Sequence, residues 1–150
     1  MGFVAFLEIG FWKGFAMSKR DGYRFCLDFK VRDYECDMQG VVNNAVYQNY
    51  LEHTRHEFLL SEGINFAELT RQHIDLVVTR AELDFKQSLR TGDSFWVGLN
   101  VELVSKVRFA FTQDVYRAND DTLMLKGRII GTALNEKRRP MLPDFLTGLV

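Results

Sequence analysis

Helical periodicity occurs in one long run of this chain, and nearly everything after it alternates with period two. Tyr47, Tyr50, Leu51, Thr54, Phe58 and Leu59 recur at spacings of three and four. That pattern predicts an amphipathic helix of roughly four to five turns over 44–60. Asn43 or Asn44 can cap its start, and Gly63 is placed to end it. Asn65 can cap a short second helix over Phe66–Arg71.

The flanking segments read as strands. Before the helix, Tyr23, Phe25, Leu27, Phe29 and Val31 point one way and the residues between them the other. After Asp75, Ala81, Leu83 and Phe85 alternate with Arg80, Glu82 and Asp84. Phe95 to Leu103 and Val107 to Val115 give two further strands, and Leu123 to Ala133 a last one. Thr91-Gly92-Asp93 and Asn119-Asp120-Asp121 mark turns. Gly127 and Gly131 share a face of the last strand, where small residues let a helix or ligand come close. Short links favour antiparallel pairing.

The order of elements predicts an α+β fold with one antiparallel sheet of about five strands. A single long helix must cover one sheet face. A curved sheet wrapped around a long central helix is the hot-dog fold. No linker, repeat or low-complexity run divides the chain.

Composition narrows the function. At 150 residues, 47% apolar and 26% charged, the chain is one ordinary globular domain. Thirteen Phe suggest an aromatic interior or an apolar cavity. A net charge of −1 with no basic–aromatic stripe argues against nucleic acid. Cys26 and Cys36 form neither a disulfide framework nor a zinc pattern, which points to free thiols in a reducing, cytoplasmic setting. No cofactor loop or metal spacing is present. Met1–Ala16 is too short to span a bilayer and lacks the marks of a secretory signal. Residues 1–16 read as an appendage or an over-called beginning, with Met17-Ser-Lys-Arg as an ordinary start and 17–150 as the domain.

The chemistry concentrates in Asp37-Met-Gln-Gly-Val-Val-Asn-Asn-Ala-Val-Tyr47. It places a carboxylate, a glycine turn at Gly40 and a helix N-terminus within eleven residues. Free N–H groups at Asn44, Ala45, Val46 and Tyr47 can face the oxygen of a bound electrophile. Asp37 can equally be an Asx-turn residue, and Asn44 equally an N-cap or an orienting group. Tyr47 and Tyr50 fall on the apolar stripe, as core does. A Cys36–histidine pair is disfavoured, because His53 and His56 lie roughly 14–18 Å along the helix from its start.

Val31 to Tyr50, continuing to His53-Thr-Arg-His-Glu-Phe58, resembles the 4-hydroxybenzoyl-CoA thioesterase-type hot-dog enzymes. Within them it is most similar to the plant acyl-lipid thioesterases of the methylketone-synthase-2 kind, with bacterial acyl-CoA thioesterases beside them. Asp37, Gly40, Val41, Val42, Asn44 and Tyr47 occupy the pattern positions, and Glu62-Gly-Ile-Asn65 and Asn135 to Pro140 extend the likeness. Bacterial members often carry His where this chain has Asn44, which leaves Asp37 as the acid–base or nucleophilic group.

The resemblance implies hydrolysis of acyl-CoA or acyl-carrier-protein thioesters without a cofactor. Asp37 would be nucleophile or general base, and the helix start the oxyanion site. Lys86, Arg90, Lys137, Arg138 and Arg139 are candidates for holding CoA phosphates or an acidic carrier. It also implies a homodimer or homotetramer joined through strand edges, with the site at the interface. Two rivals share the fold: a dehydratase or hydratase, which would want a histidine at Asn44, and a non-catalytic acyl-CoA-binding protein.

Overall fold

The computed structural model describes residues 17–150, so the expected appendage over 1–16 lies outside the described residues. The strands are β1 (Phe25–Lys30), β2 (Asp75–Phe85), β3 (Ser94–Leu103), β4 (Phe109–Arg117), β5 (Leu123–Leu134) and the two-residue β6 (Pro140–Met141). The helices are α1 (Asn44–Ser61), α2 (Phe66–Arg71) and the short α3 (Asp144–Thr147).

All strand pairs are antiparallel, in the order β1-β3-β4-β5-β2, with β6 added to β5 beyond the end of β4. The helix-wrapping α+β architecture is therefore present, with a sixth, very short strand closing it. Hairpin links join β3–β4 and β4–β5 as the short turns require. β2 instead pairs with β5, across the sheet from its chain neighbour β3, and becomes a long edge.

The inner face of the sheet and the apolar stripe of α1 make the core. Phe95, Val97 and Leu99 of β3, Val115 of β4, and Leu125 and Ala133 of β5 are fully buried against the helix side. Tyr47, Tyr50, Leu51, Thr54, Phe58 and Leu59 come down onto them from α1. Each such Leu or Phe contributes about 1.5–3 kcal/mol by leaving water.

Gly127 lets the helix approach: a Cβ there would stand 3.1 Å from Leu51 Cδ1. At Gly131 a Cβ would meet the Val77 carbonyl oxygen at 2.8 Å and the Phe109 ring at 2.9 Å. A bulge at Thr79 breaks the β2–β5 register between Val78 and Arg80, and another interrupts β4–β5 between Val115 and Tyr116. Bulges bend strands, which helps the sheet curl around α1.

Tyr23 departs from the alternation that placed it with Phe25. The strand begins only at Phe25, which pairs with Leu99 on the core face. Tyr23 turns to the opposite face, where its ring covers Gly98 and packs edge-on to Trp96 and Tyr116. Its hydroxyl donates to Asp114 Oδ2 at 2.7 Å. A period-two pattern that includes the residues preceding a strand overshoots, because those residues follow a turn, here the 3-10 turn Lys19–Gly22.

Candidate active site

The loop from β1 to α1 is a miniature hairpin. Cys36 and Val42 pair across it, Asp37 N–H donates to Val41 O, and Gly40 N–H donates to Asp37 O. Gly40 stands at φ +76°, the left-handed conformation that such a turn requires and that glycine adopts freely. The hairpin is fixed on two sides. Val41 pairs with Arg90, and Val42 N–H donates to Leu89 O, which ties it to the β2–β3 connection. Behind it, buried Glu35 accepts the Arg32 N–H at 2.8 Å and the Tyr50 hydroxyl at 2.6 Å, which ties it to α1.

Asp37 is exposed on this hairpin. Its Oδ1 accepts from the N–H of Gln39 at 2.8 Å and of Val41 at 3.4 Å, an Asx turn. Both bonds fall on one oxygen, which fixes the carboxylate plane and leaves Oδ2 for other work. Asp37 lines a cavity of about 440 Å³ with Val41, Asn43, Asn44, Phe85 and Lys86. The structure thus brings Asp37, the start of α1 and Lys86 into one pocket.

The cap of α1 is Asn43, whose Oδ1 accepts from Ala45 N–H at 3.0 Å. Its carbonyl accepts from Val46 N–H at 2.9 Å. The Ala45 and Val46 donors are therefore spent inside the helix start. The Asn44 N–H makes no hydrogen bond among the described residues, and the Asn44 side chain, released from capping, lines the pocket. The first turn of α1 carries no acidic residue, so its positive end faces the pocket uncompensated by its own side chains.

Tyr47 is buried, and its hydroxyl oxygen accepts from Leu89 N–H at 3.0 Å. Tyr47 itself lines the pocket, and this bond ties it to the β2–β3 connection. Cys36 Sγ accepts from the Thr91 hydroxyl at 3.3 Å, while His53 packs on Phe29 and His56 on Phe66. Cys36 thus finds its partner in the neighbouring loop. Burial pushes the Cys26 thiol up, away from thiolate.

The basic candidates divide. Lys86 is in the pocket, and Arg90 pairs through its backbone with the hairpin. Lys137, Arg138 and Arg139 sit in the turn after β5, where Arg138 binds Asp75 at the opposite end of β2. Ten residues of strand, roughly 33 Å, separate that end from Phe85. Phe85, Gln87 and Ser88 are pocket residues that the motif did not indicate, because they come from the distant end of β2 and the β2–β3 connection. Among the described residues, no cluster of His, Cys, Asp or Glu is placed to hold a metal ion, and no helix is long and apolar enough to cross a membrane.

Among solved structures, a 1,4-dihydroxy-2-naphthoyl-CoA thioesterase from Synechocystis superposes with a TM-score of 0.78 at 20% identity, covering 83% of this chain and 93% of that one. A hypothetical protein from Aquifex aeolicus gives 0.76 at 27% identity, over 83% and 98%. Two chloroplastic acyl-acyl carrier protein thioesterases of Arabidopsis thaliana are each 40% identical, over 77% of this chain and 60% of the first, and 76% and 61% for the second. The chain thus spans about three fifths of the length of these curated relatives. Residues 31–149, which hold the hairpin, α1 and all but the first strand, match the thioesterase-like superfamily, and the chain belongs to that family.

Proposed function

We propose that this chain is a hydrolase acting on acyl thioesters of CoA or of a carrier protein, with Asp37 as its reacting carboxylate. The observation that carries the reading is the pairing, in one pocket, of the Asp37 carboxylate with the open N-terminus of α1. The thioester carbonyl would lie with its oxygen toward the Asn44 N–H, where the helix end stabilises the charge that develops in the transition state.

Asp37 Oδ2 then either attacks the carbonyl carbon or takes a proton from an attacking water. In the first case the thiolate leaves, and water hydrolyses the mixed anhydride, restoring the carboxylate. In the second, the tetrahedral intermediate expels the thiolate directly, and the proton passes to it. Lys86, in the same pocket, would meet an anionic part of the thiol carrier. The relatives' names favour acyl-carrier-protein thioesters. A cytoplasmic location, expected from free Cys26 and Cys36, stays part of the proposal, although those relatives are chloroplastic.

The proposal includes a homodimer formed through β2, with a homotetramer as its higher assembly. Among the described residues, the eleven of β2 pair on one side alone, with β5, and leave an edge that folded proteins rarely leave bare. Antiparallel pairing of β2 with its copy about a two-fold axis would set the Asp75 end of one chain beside the Phe85 end of the other. Lys137, Arg138 and Arg139 would then join Lys86 at the partner's pocket, so the split set of cations becomes one site.

The test is thiol release from acyl-CoA and acyl-carrier-protein panels, aryl and short to long chain, by wild type and Asp37→Ala. Loss of several orders of magnitude in a folded Asp37→Ala protein supports the mechanism. Retained activity overturns it. Because the Asx turn gives Asp37 a purely structural use as well, binding without turnover in both proteins would establish the acyl-CoA-binding alternative.

A further inference from the structure

A second cavity, of about 270 Å³, lies at the far end of α1 from Asp37, between that helix, α2, β2 and the inner face of the sheet. Its volume is near the lower bound of roughly 300 Å³ for small-molecule sites. Leu59, Leu69, Leu76, Phe109 and Ile129 make its walls apolar. Arg55 is set among them.

A guanidinium carries five N–H donors. Arg55 spends one nitrogen on a neutral partner, donating from Nη1 to Oε1 of the fully buried Gln113 at 3.0 Å. Gln113 is itself held, its Nε2 donating to the Leu51 carbonyl at 2.9 Å, so the amide that aims Arg55 is locked to the helix backbone. No carboxylate forms an ion pair with Arg55 among the described residues.

The acids nearby are otherwise disposed. Asp75 is bound by Arg138, and Glu52, exposed at the rim, reaches toward His56 at 3.9 Å. No buried side-chain nitrogen or oxygen lacks a partner among the described residues, so the unused donors of Arg55, a residue of the cavity lining, are accessible to solvent and not sealed in protein. Burial lowers the guanidinium's pKa from its ordinary value, Glu52 opposing, which marks how far the charge is removed from water. Partly desolvated cations are ordinarily paired with an anion, and among the described residues none forms an ion pair with Arg55.

We infer that this cavity binds an apolar ligand ending in a carboxylate, its tail against the Leu and Phe walls and its head on the free donors of Arg55. The shared chemistry is that of a medium-length fatty carboxylate. Such a carboxylate is also what the reaction proposed above would release, and in that respect the inference rests on that reading. Binding is read without turnover, however, so it can be measured in Asp37→Ala protein, and failure of either idea leaves the other standing.

The experiment titrates the full chain with decanoate and with decanol by calorimetry. A charge-assisted head contact predicts a preference for decanoate of about tenfold or more. Arg55→Met should abolish the preference while decanol still binds, and Arg55→Lys should keep part of it. Equal affinities in wild type, or a preference that survives Arg55→Met, overturn the inference. Should Arg55→Met fail to fold, with Gln113 left unpaired, carbon-13-labelled decanoate bound to the wild type decides. Its carboxyl pKa falls below the free value beside a guanidinium and rises in an apolar hole without one. A rise overturns the assignment.

Discussion

The Tyr50 hydroxyl donates to Glu35 Oε2 at 2.6 Å, joining the second turn of α1 to the loop that delivers Asp37. Glu35 is nearly inaccessible, and its other partners are the Arg32 N–H and a longer contact with the Arg32 guanidinium. Tyr50→Phe removes the donor and leaves the buried carboxylate under-satisfied. The expected cost is about 1–3 kcal/mol, read as a lower urea midpoint with an unchanged slope. Tyr50→Phe with Glu35→Gln should cost less than the sum of the two single changes, because the residues share one bond.

Three of the five tyrosines hold their protons more tightly than free tyrosine does. Burial is the main cause for Tyr23, Tyr47 and Tyr50, with hydrogen bonds to Tyr116 and Asp114 adding at Tyr23 and one to Glu35 at Tyr50. A folded pKa raised above the unfolded one means stability that is complete below about pH 10 and falls as pH rises beyond it. In an alkaline titration, these three phenolates should appear together with the loss of circular dichroism. Gradual ionisation of all tyrosines in a still-folded chain would contradict the burial described.

Gly131→Ala should be poorly tolerated, because its Cβ would press on the Val77 backbone oxygen at 2.8 Å as well as on the Phe109 ring. Overpacking of this sort costs about 1–3 kcal/mol. Gly98→Ala meets the base of the Tyr23 ring more closely still, Cγ at 2.5 Å and both Cδ atoms at 2.6 Å, and that ring is held by its hydroxyl contacts with Asp114 and Tyr116. Thermal unfolding should therefore show both Gly131→Ala and Gly98→Ala below the wild type, and an unchanged midpoint for either would contradict the close packing described.

Gly40→Ala separates stability from placement of the carboxylate. At φ +76° an alanine is strained by about 1–2 kcal/mol, an effect confined to the loop. If Asp37 is the reacting group, re-angling the hairpin should lower the rate constant by about tenfold or more, beyond the loss in folded fraction. Equal losses in rate and folded fraction would detach the hairpin from the chemistry.

The elements themselves were legible in the sequence wherever neighbours along the chain determine them. The periodicity of Tyr47 to Leu59 marked α1, Asn65 marked α2, and Gly127 and Gly131 marked the face that lets other groups approach. The hairpin turn at Gly40 was legible for the same reason. What escaped is set by partners far away in sequence. That β2 would leave β3 and pair with β5 depends on sheet order, which alternation does not encode. The use of Glu35 as an anchor, the entry of Phe85 and Gln87 into the Asp37 pocket, and the hold of Gln113 on Arg55 all require tertiary packing. The choice of Asn43 over Asn44 as cap was undecidable from two adjacent identical residues. It sets the register by which the Asn44 donor is left free.

That register carries a cost for anyone who would stabilise the protein. Ordinary improvement of a helix start would replace Asn43 by Asp and add a glutamate three positions on, gaining about 0.3–1 kcal/mol from each charge against the dipole. Both additions would place fixed negative charge at the helix end beside Asp37, where the first turn now carries none. A reaction that builds up negative charge at the same spot would be slowed by them. The neutral first turn is thus a place where consensus-style thermostabilisation and turnover pull in opposite directions.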